Sequence, residues 1–305
     1  MLRKLVLPVL LAAVVGFAIF WLITQPATVP QSALGPYQVN LENGKEMFFA
    51  GGCASCHATP DQDDRLQLGG GMALHSPFGT FYAPNISPDA KAGIGGWSES
   101  QFVNAVLKGT TPDGSHYYPS FPYTSYHLMA LGDVRDLYAF MKTLPAVATA
   151  SRPHELPFPF NIRRLLGVWK ALFFEDDKPF QPDPNQSAQW NRGAYLVNGP
   201  GHCSECHSPR NALGGIKSGQ RFAGGPNPEG RGWVPNITQI RMKDWSAEDL
   251  ADFLETGMTL EGDSVGSNMA PVIRNTSQLT KEDRAAMGVY LKSLAPVEGP
   301  ARPQK

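Results

Sequence analysis

The sequence predicts an all-α protein in which two tandem, loop-rich helical domains lie behind one N-terminal transmembrane helix. Three observations lead to this prediction. The chain opens with a long uncharged run, short motifs recur about 150 residues apart, and helical periodicity occurs where strong alternating strand patterns do not. A length of 305 residues is sufficient for two domains of ordinary size.

The first element is the N-terminal segment, residues 1–25. Arg3 and Lys4 precede an uncharged run from Leu5 to Thr24, which is long enough to cross a bilayer core. A cleaved signal peptide has the same order of basic and apolar residues, but its apolar run is usually shorter and a small-residue cleavage site follows. We therefore expect an uncleaved, single-pass anchor in the inner membrane. Arg3 and Lys4 would lie in the cytoplasm and the rest of the chain in the periplasm.

All four cysteines belong to two copies of the pattern Cys-x-x-Cys-His, at 53–57 and 203–207. This pattern attaches c-type haem, because each thiol can add to one porphyrin vinyl group while the histidine binds the iron. A single pair could instead form a redox pair or half of a zinc site. The histidine in both copies argues against a redox pair, and a shared zinc site would leave both histidines unexplained. We expect two covalent haems c, held by Cys53, Cys56, His57, Cys203, Cys206 and His207.

The two motifs are part of a longer internal repeat. Pro84-Asn85-Ile86-Ser87 recurs as Pro235-Asn236-Ile237-Thr238, and Gly96-Trp97-Ser98 recurs as Asp244-Trp245-Ser246. We place the copies at 40–147 and 188–297, with a linker at 26–39, a proline-rich connector at 148–187 and a tail at 298–305.

Each copy is predicted to contain three helices, and the connector a shorter one. In each copy the second helix follows a tryptophan, with capping boxes at Ser98/Gln101 and Ser246/Asp249. The connector helix, Asn161 to Phe174, is most simply one that packs the copies together, although basic residues with Trp and Phe also suit a membrane surface. The other predicted helices are Leu41 to Phe49, Asn191 to Val197, Asp133 to Leu144, and Lys281 to Leu294 with a cap from Thr280.

The axial ligands opposite the two histidines are expected later in each copy. Methionine is the usual partner in electron-transfer cytochromes. In copy two we expect Met269, in a loop before the last helix, rather than Met258. In copy one the equivalent position is Phe121, which cannot bind iron. Met129 is our expected ligand there. His127, His116 and an open iron remain as alternatives.

Other shared residues are expected to shape the haem pockets. Trp97 and Trp245 could pack on the porphyrin or donate an indole hydrogen bond to its edge, and ordinary core packing is an equal alternative. Pro84 and Pro235, with Asn85 and Asn236, are expected to orient the haem-binding histidines through hydrogen bonds.

These features resemble class I c-type cytochromes, and in particular the membrane-bound multihaem cytochrome subunits of bacterial alcohol and aldehyde dehydrogenases. The resemblance covers residues 40–145 and 188–296 and depends on the haem motifs, 78–86, 118–126 and Met269. It implies two tandem class I cytochrome c domains. Some relatives have phenylalanine at the position of Phe121 and methionine at that of Met129. Such subunits usually carry three haem domains, and this chain has two.

We expect one-electron transfer as the function. The donor would be a dehydrogenase or a quinol-oxidising complex, and the acceptor a terminal oxidase or a small soluble cytochrome. Because Phe121 cannot bind iron, a haem enzyme with an open iron in copy one, such as a peroxidase or a sulfur-compound oxidoreductase, is the alternative, and a gas sensor ranks after it. With 26 basic and 27 acidic residues, the chain lacks the basic excess that nucleic-acid partners favour.

Overall fold

The computed structural model describes residues 2–174, 179–230 and 232–302. Parts of four predicted segments therefore lie outside the described residues. These parts are Met1 of the anchor, 175–178 of the connector, 231 of copy two and 303–305 of the tail.

The predicted anchor is a single helix, α1, Leu2–Ile23. Its window Val6–Ile23 has a mean hydropathy of 2.7, and none of that window is buried within the described chain. This is the composition of a helix that can cross a membrane. The backbone amides of Thr24 and Gln25, the first two residues after the helix, donate hydrogen bonds to carbonyls of its last turn.

Copy one is built on five helices. They are α2 Leu41–Ala50, α3 Cys53–His57, α4 Glu99–Lys108, α5 Tyr123–Tyr126 and α6 Leu131–Met141. Helices α2 and α6 cross closely at Gly44, where a Cβ atom would lie 2.1 Å from the Asp136 carbonyl oxygen. Met47, Phe48 and Val134 fill the core around this crossing and are fully buried.

After the connector helix α7, Leu165–Phe173, copy two repeats the arrangement. Its helices are α8 Ala188–Asn198, α9 Ser204–His207, α10 Ala247–Thr256, α11 Met269–Thr276 and α12 Lys281–Ser293. Helix α8 crosses α12 at Gly193, where a Cβ atom would lie 1.9 Å from the Ala286 carbonyl oxygen. Glycine thus permits the same close crossing in both copies. Two short 3₁₀ turns, Gln31–Ala33 and Ser218–Gln220, complete the helical elements among the described residues.

The prediction of a mainly helical fold is confirmed, and each copy also contains a small antiparallel hairpin that the sequence did not predict. In copy one, β1 Ala73–Ser76 pairs with β2 Gly79–Tyr82, and in copy two β3 Gly225–Pro226 pairs with β4 Trp233–Val234. Strands of four and two residues are too short to show a clear alternation in sequence.

The helix starts predicted from the two capping boxes and from Thr280 were correct. Helix α8 begins at Ala188, after a Ser187 cap, and not at the predicted Asn191, and the connector helix begins at Leu165 and not at Asn161. Both capping boxes form, and the Thr280 side chain accepts a hydrogen bond from the Asp283 amide. Helix α6 begins at Leu131, not Asp133, because Ala130 at its N-cap gives no side-chain signal. Met269 was expected in a loop, but it is the first residue of α11.

Candidate haem sites

The two haem-binding histidines have the same hydrogen-bond geometry. His57 Nδ1 lies 2.8 Å from the Pro84 carbonyl oxygen, and His207 Nδ1 lies 2.8 Å from that of Pro235. A carbonyl oxygen only accepts, so each Nδ1 is the protonated nitrogen and each Nε2 keeps its lone pair. Burial lowers the pKa of both histidines, which favours the neutral ring that binds iron.

The proline and the asparagine of each predicted loop contact different parts of the chain. The proline carbonyls meet the histidines, whereas the asparagines hold the loops to the chain that follows the last helix of each copy. Asn85 Nδ2 donates to the carbonyl of Val147 at 2.6 Å, and Asn236 Nδ2 donates to that of Val297 at 2.8 Å. The asparagines thus fix the loops that carry the histidine-binding carbonyls.

The predicted methionine of copy two, Met269, is half-buried at the start of α11. Its competitor Met258 is 45% exposed and accepts a hydrogen bond from Ser264 Oγ. The loop between them, 261–268, is exposed at every position except Val265.

In copy one, Phe121 occupies the equivalent position and packs in an aromatic cluster, with its ring centroid 5.4 Å from that of Tyr117 and 5.6 Å from that of Tyr126. Met129 is buried directly before α6, with 2% of its surface exposed. It shares a cavity of about 290 Å³ with His127.

The third alternative in copy one, His116, has a different partner. Its Nε2 lies 2.9 Å from the Thr24 carbonyl oxygen, at the end of α1. In this structure His116 joins copy one to the N-terminal helix.

The two predicted pocket tryptophans are half-buried against the core. Trp245 packs its ring edge-to-face against Phe253 at 5.5 Å, and the Trp97 carbonyl accepts a hydrogen bond from Tyr138. Within the described ranges, neither indole N–H has a protein acceptor, whereas the indole groups of Trp169 and Trp190 donate to Leu213 and Ser293.

The two haem motifs meet at the Gly51 carbonyl oxygen, two residues before Cys53. His202, the residue before Cys203, places its Nε2 3.3 Å from this oxygen, and the Tyr126 hydroxyl donates to it at 2.9 Å. The rings of Tyr126 and His202 pack edge-to-face at 5.5 Å. His202 adopts a left-handed backbone conformation with φ 38°, which is uncommon for a residue other than glycine.

The copies also exchange reciprocal contacts through the third residue of each motif. Glu205 of motif two accepts hydrogen bonds from the hydroxyls of Thr124 and Ser125, both in α5 of copy one, at 2.7 and 2.9 Å. The equivalent Ser55 of motif one accepts from Asn275, in α11 of copy two, at 3.0 Å.

Glu205 is buried, and Arg210 Nη2 lies 2.6 Å from its carboxylate. Burial by itself would raise the pKa of Glu205, but Arg210 and the two hydroxyls bring that pKa below its usual value. Glu205 is therefore an ionised anchor between the copies. Sequence reasoning missed Glu205, Ser55, Tyr126 and His202. Each of these side chains contacts a residue of the other copy, and a pair so distant in the chain leaves no local sequence signal.

The chemistry of these residues fits c-type haem. Each site brings two thiols and one neutral imidazole with a free Nε2 onto one short helix and its flanks, as covalent attachment and iron binding require. Within the described part of the chain, no three His, Cys, Asp or Glu side chains cluster as a protein-only metal site would need.

Comparison with known proteins agrees with this chemistry. The family model for cytochrome c matches residues 41–145. A dihaem c-type cytochrome from Cereibacter sphaeroides is 48% identical over 298 residues, covering 97% of this chain and 99% of that protein. The fructose dehydrogenase cytochrome subunit of Gluconobacter japonicus is 36% identical, covering 89% of this chain and 55% of the subunit. The gluconate 2-dehydrogenase cytochrome c subunit of Pantoea cypripedii is 33% identical, covering 88% and 63%.

The chain thus spans nearly all of the dihaem relative but less than two thirds of these dehydrogenase subunits. The predicted cofactor, two covalent haems c, is confirmed by the full-length match. The chain belongs to the cytochrome c family, as a dihaem c-type electron-transfer protein.

Proposed function

We propose that the protein is a membrane-anchored relay of single electrons, made of two tandem class I cytochrome c domains at 40–147 and 188–297. Helix α1 would hold it in the inner membrane, with both haem domains in the periplasm. Each haem iron supplies a ferric/ferrous couple when bound.

The observation that carries this proposal is the contact between the two haem motifs. A short path joins the two motifs. It runs from Cys53 back along the chain to Gly51, crosses the hydrogen bond between the Gly51 carbonyl and the His202 ring, and continues through the His202 side chain and backbone to Cys203. A relay needs its two centres to be close and held rigidly. Tyr126, the reciprocal Ser55 and Glu205 contacts, and the buried Arg210 ion pair supply that rigidity.

The residues at each site have separate tasks. His57 and His207 would bind the irons through Nε2, and the Pro84 and Pro235 carbonyls hold the rings and increase their basicity. Met269 in domain two and Met129 in domain one would be the further ligands.

The partners are proposed from the relatives. Several are cytochrome subunits of fructose, gluconate and quinone-dependent alcohol dehydrogenases. We propose a dehydrogenase or a quinol-oxidising complex as donor and a terminal oxidase or a small soluble cytochrome as acceptor.

The relay is tested on the full-length protein in detergent. The protein is reduced with ascorbate, freed of reductant and mixed in a stopped-flow cell with an oxidised small soluble c-type cytochrome. We expect both haems to be reoxidised, with two electrons recovered per chain. Reoxidation of only one haem, or rapid turnover of added hydrogen peroxide, would contradict the relay.

A further inference from the structure

We propose that the connector has an apolar face that lies in the interfacial layer of the membrane, beside the point where α1 emerges. This inference rests on the proposed function in one respect, since it takes α1 as a membrane anchor. It gives the protein a second contact with lipid, made by residues 158–173, between the two haem domains.

The connector exposes more large apolar side chains than any other described segment outside α1. We call these five residues the apolar connector face. Their exposed fractions are 79% for Phe158, 41% for Phe160, 41% for Ile162, 39% for Leu165 and 62% for Leu172. Single exposed apolar residues need no explanation, but a contiguous group of this size marks an interaction surface.

Arg164 fixes the connector against the end of α1. Its Nη2 donates to the Trp21 carbonyl at 2.6 Å and its Nε donates to Thr24 Oγ1 at 2.7 Å. Its guanidinium lies over the Trp21 ring, 4.1 Å from the centroid. Gly167 allows α7 to approach Thr24 so closely that a Cβ atom would lie 2.5 Å from the Thr24 Cα.

This attachment sets the depth of the connector relative to the membrane. Tryptophan is enriched where transmembrane helices meet the headgroup layer, and Trp21 lies in the last turn of α1. Because Arg164 joins the beginning of α7 to Trp21 and Thr24, the apolar connector face lies at the level of the membrane interface.

Within segment 158–173, the cationic side chains are turned toward the protein. Arg163 donates to the His116 carbonyl at 2.9 Å, and Lys170 donates to the carbonyls of Lys108 and Gly109 at 2.6 and 2.9 Å. The outward face is therefore left apolar. An amphipathic segment with Phe and Leu on one side is the type that lies in the plane of the interface.

The occupant of this face is lipid, because the face continues the surface of the span. A peripheral protein subunit would have to reach the face at the level of the headgroups. Trp169, half-buried in α7, donates its indole N–H to the Leu213 carbonyl, and Leu213 is itself 55% exposed. The apolar surface thus extends from the connector onto domain two.

Thiol reactivity in full-length protein tests this placement. The four native cysteines form thioethers, so one added cysteine is the sole free thiol. We would prepare Leu172→Cys and Phe158→Cys, with Leu260→Cys as a matched control, since Leu260 is a 48% exposed leucine in a loop of domain two. A fourth variant, Ala12→Cys, reports on the span. Each protein is placed in phosphatidylcholine–phosphatidylglycerol nanodiscs, and its reaction with a charged maleimide is followed by mass spectrometry.

We expect the thiols at 172 and 158 to react at least about tenfold more slowly than the thiol at 260, because lipid suppresses thiolate formation and excludes the reagent. The thiol at 12 should be unreactive. Fast reaction at 172 and 158 with an unreactive thiol at 12 would overturn the inference and leave the anchor standing. That result would indicate that the apolar connector face binds a protein subunit. Fast reaction at all three positions would refute the anchor and the inference together.

Discussion

The two haem sites have a common proximal side and different distal sides. Both have the Cys-x-x-Cys-His helix, the proline carbonyl 2.8 Å from the histidine and the asparagine that holds the loop. The two copies also follow the same path after α4 and α10. In each copy a backbone amide, of Tyr117 or Val265, donates to the carbonyl of the glycine that ends the preceding helix, at 2.8 Å. The copies diverge four residues later, at Phe121 and Met269.

The surroundings of the distal loops explain this divergence. In domain one the loop is covered by the end of α1 and by the connector. His116 bonds to the end of α1, and the Tyr118 hydroxyl donates to the Phe160 carbonyl of the connector. In domain two the corresponding loop, 261–268, is almost entirely exposed. The loop of domain one is therefore closed by other parts of the chain, whereas the loop of domain two is open and leads to Met269, the first residue of the longer helix α11.

The strongest test of the comparison is to remove one site. In Cys203→Ser/Cys206→Ser, domain two cannot form thioethers, so we expect one haem c per chain in place of two. The mirror variant Cys53→Ser/Cys56→Ser should retain the other haem. Pyridine haemochrome absorbance per mole of protein measures the count. Two covalent haems in either variant would refute the attachment sites.

Removing the two proposed methionine ligands tests the difference directly. Met269→Ala and Met129→Ala should each lower the reduction potential of one haem and leave the other nearly unchanged, because axial ligands set potentials over a range of about 0.8 V. Potentiometric titration of the full-length protein resolves the two steps. Met258→Ala is the matched control and should change neither step. Unchanged potentials in Met129→Ala would show that domain one uses another ligand or none.

The reciprocal interface contacts should differ in strength. Glu205→Gln leaves Arg210 without its buried partner, and we expect a loss of about 3 kcal/mol of stability. Ser55→Ala removes only neutral hydrogen bonds, the one from Asn275 and a long one to the Pro271 carbonyl, and should cost about 1 kcal/mol. Denaturant unfolding of the purified variants measures both losses. Equal losses would show that the Glu205 ion pair contributes no more than the neutral contact.

A further expected effect concerns pH at the same interface. Arg192 of α8 contacts Glu46 of α2 at 3.1 Å and Asp283 of α12 at 2.7 Å. The Asp283 side chain, with burial, raises the pKa of Glu46 to about 7. Because this folded-state pKa lies above the unfolded value, the contribution to stability is complete below about pH 4.5 and is lost as pH rises through about 7. Glu46→Gln should flatten the dependence of unfolding free energy on pH between these values. An unaltered profile would contradict this assignment.

Much of this arrangement could be predicted from local sequence patterns. The haem motifs, the span and the capped helices after Trp97 and Trp245 have signals within a few residues of each other. The link between Gly51 and His202 could not be predicted, because the partners are 151 residues apart and either residue alone is unremarkable in sequence. The hairpins escaped detection because two or four residues carry no measurable alternation.

The measurement that tests the relay most directly is low-temperature EPR of the oxidised, full-length protein. We expect two six-coordinate irons, with methionine or another sixth ligand at each, and therefore two low-spin ferric signals of equal integrated intensity. A high-spin signal that accounts for one of the two haems would mean an open iron. If that iron belonged to domain one, the relay proposed here would be contradicted, since Met129 would then not be a ligand.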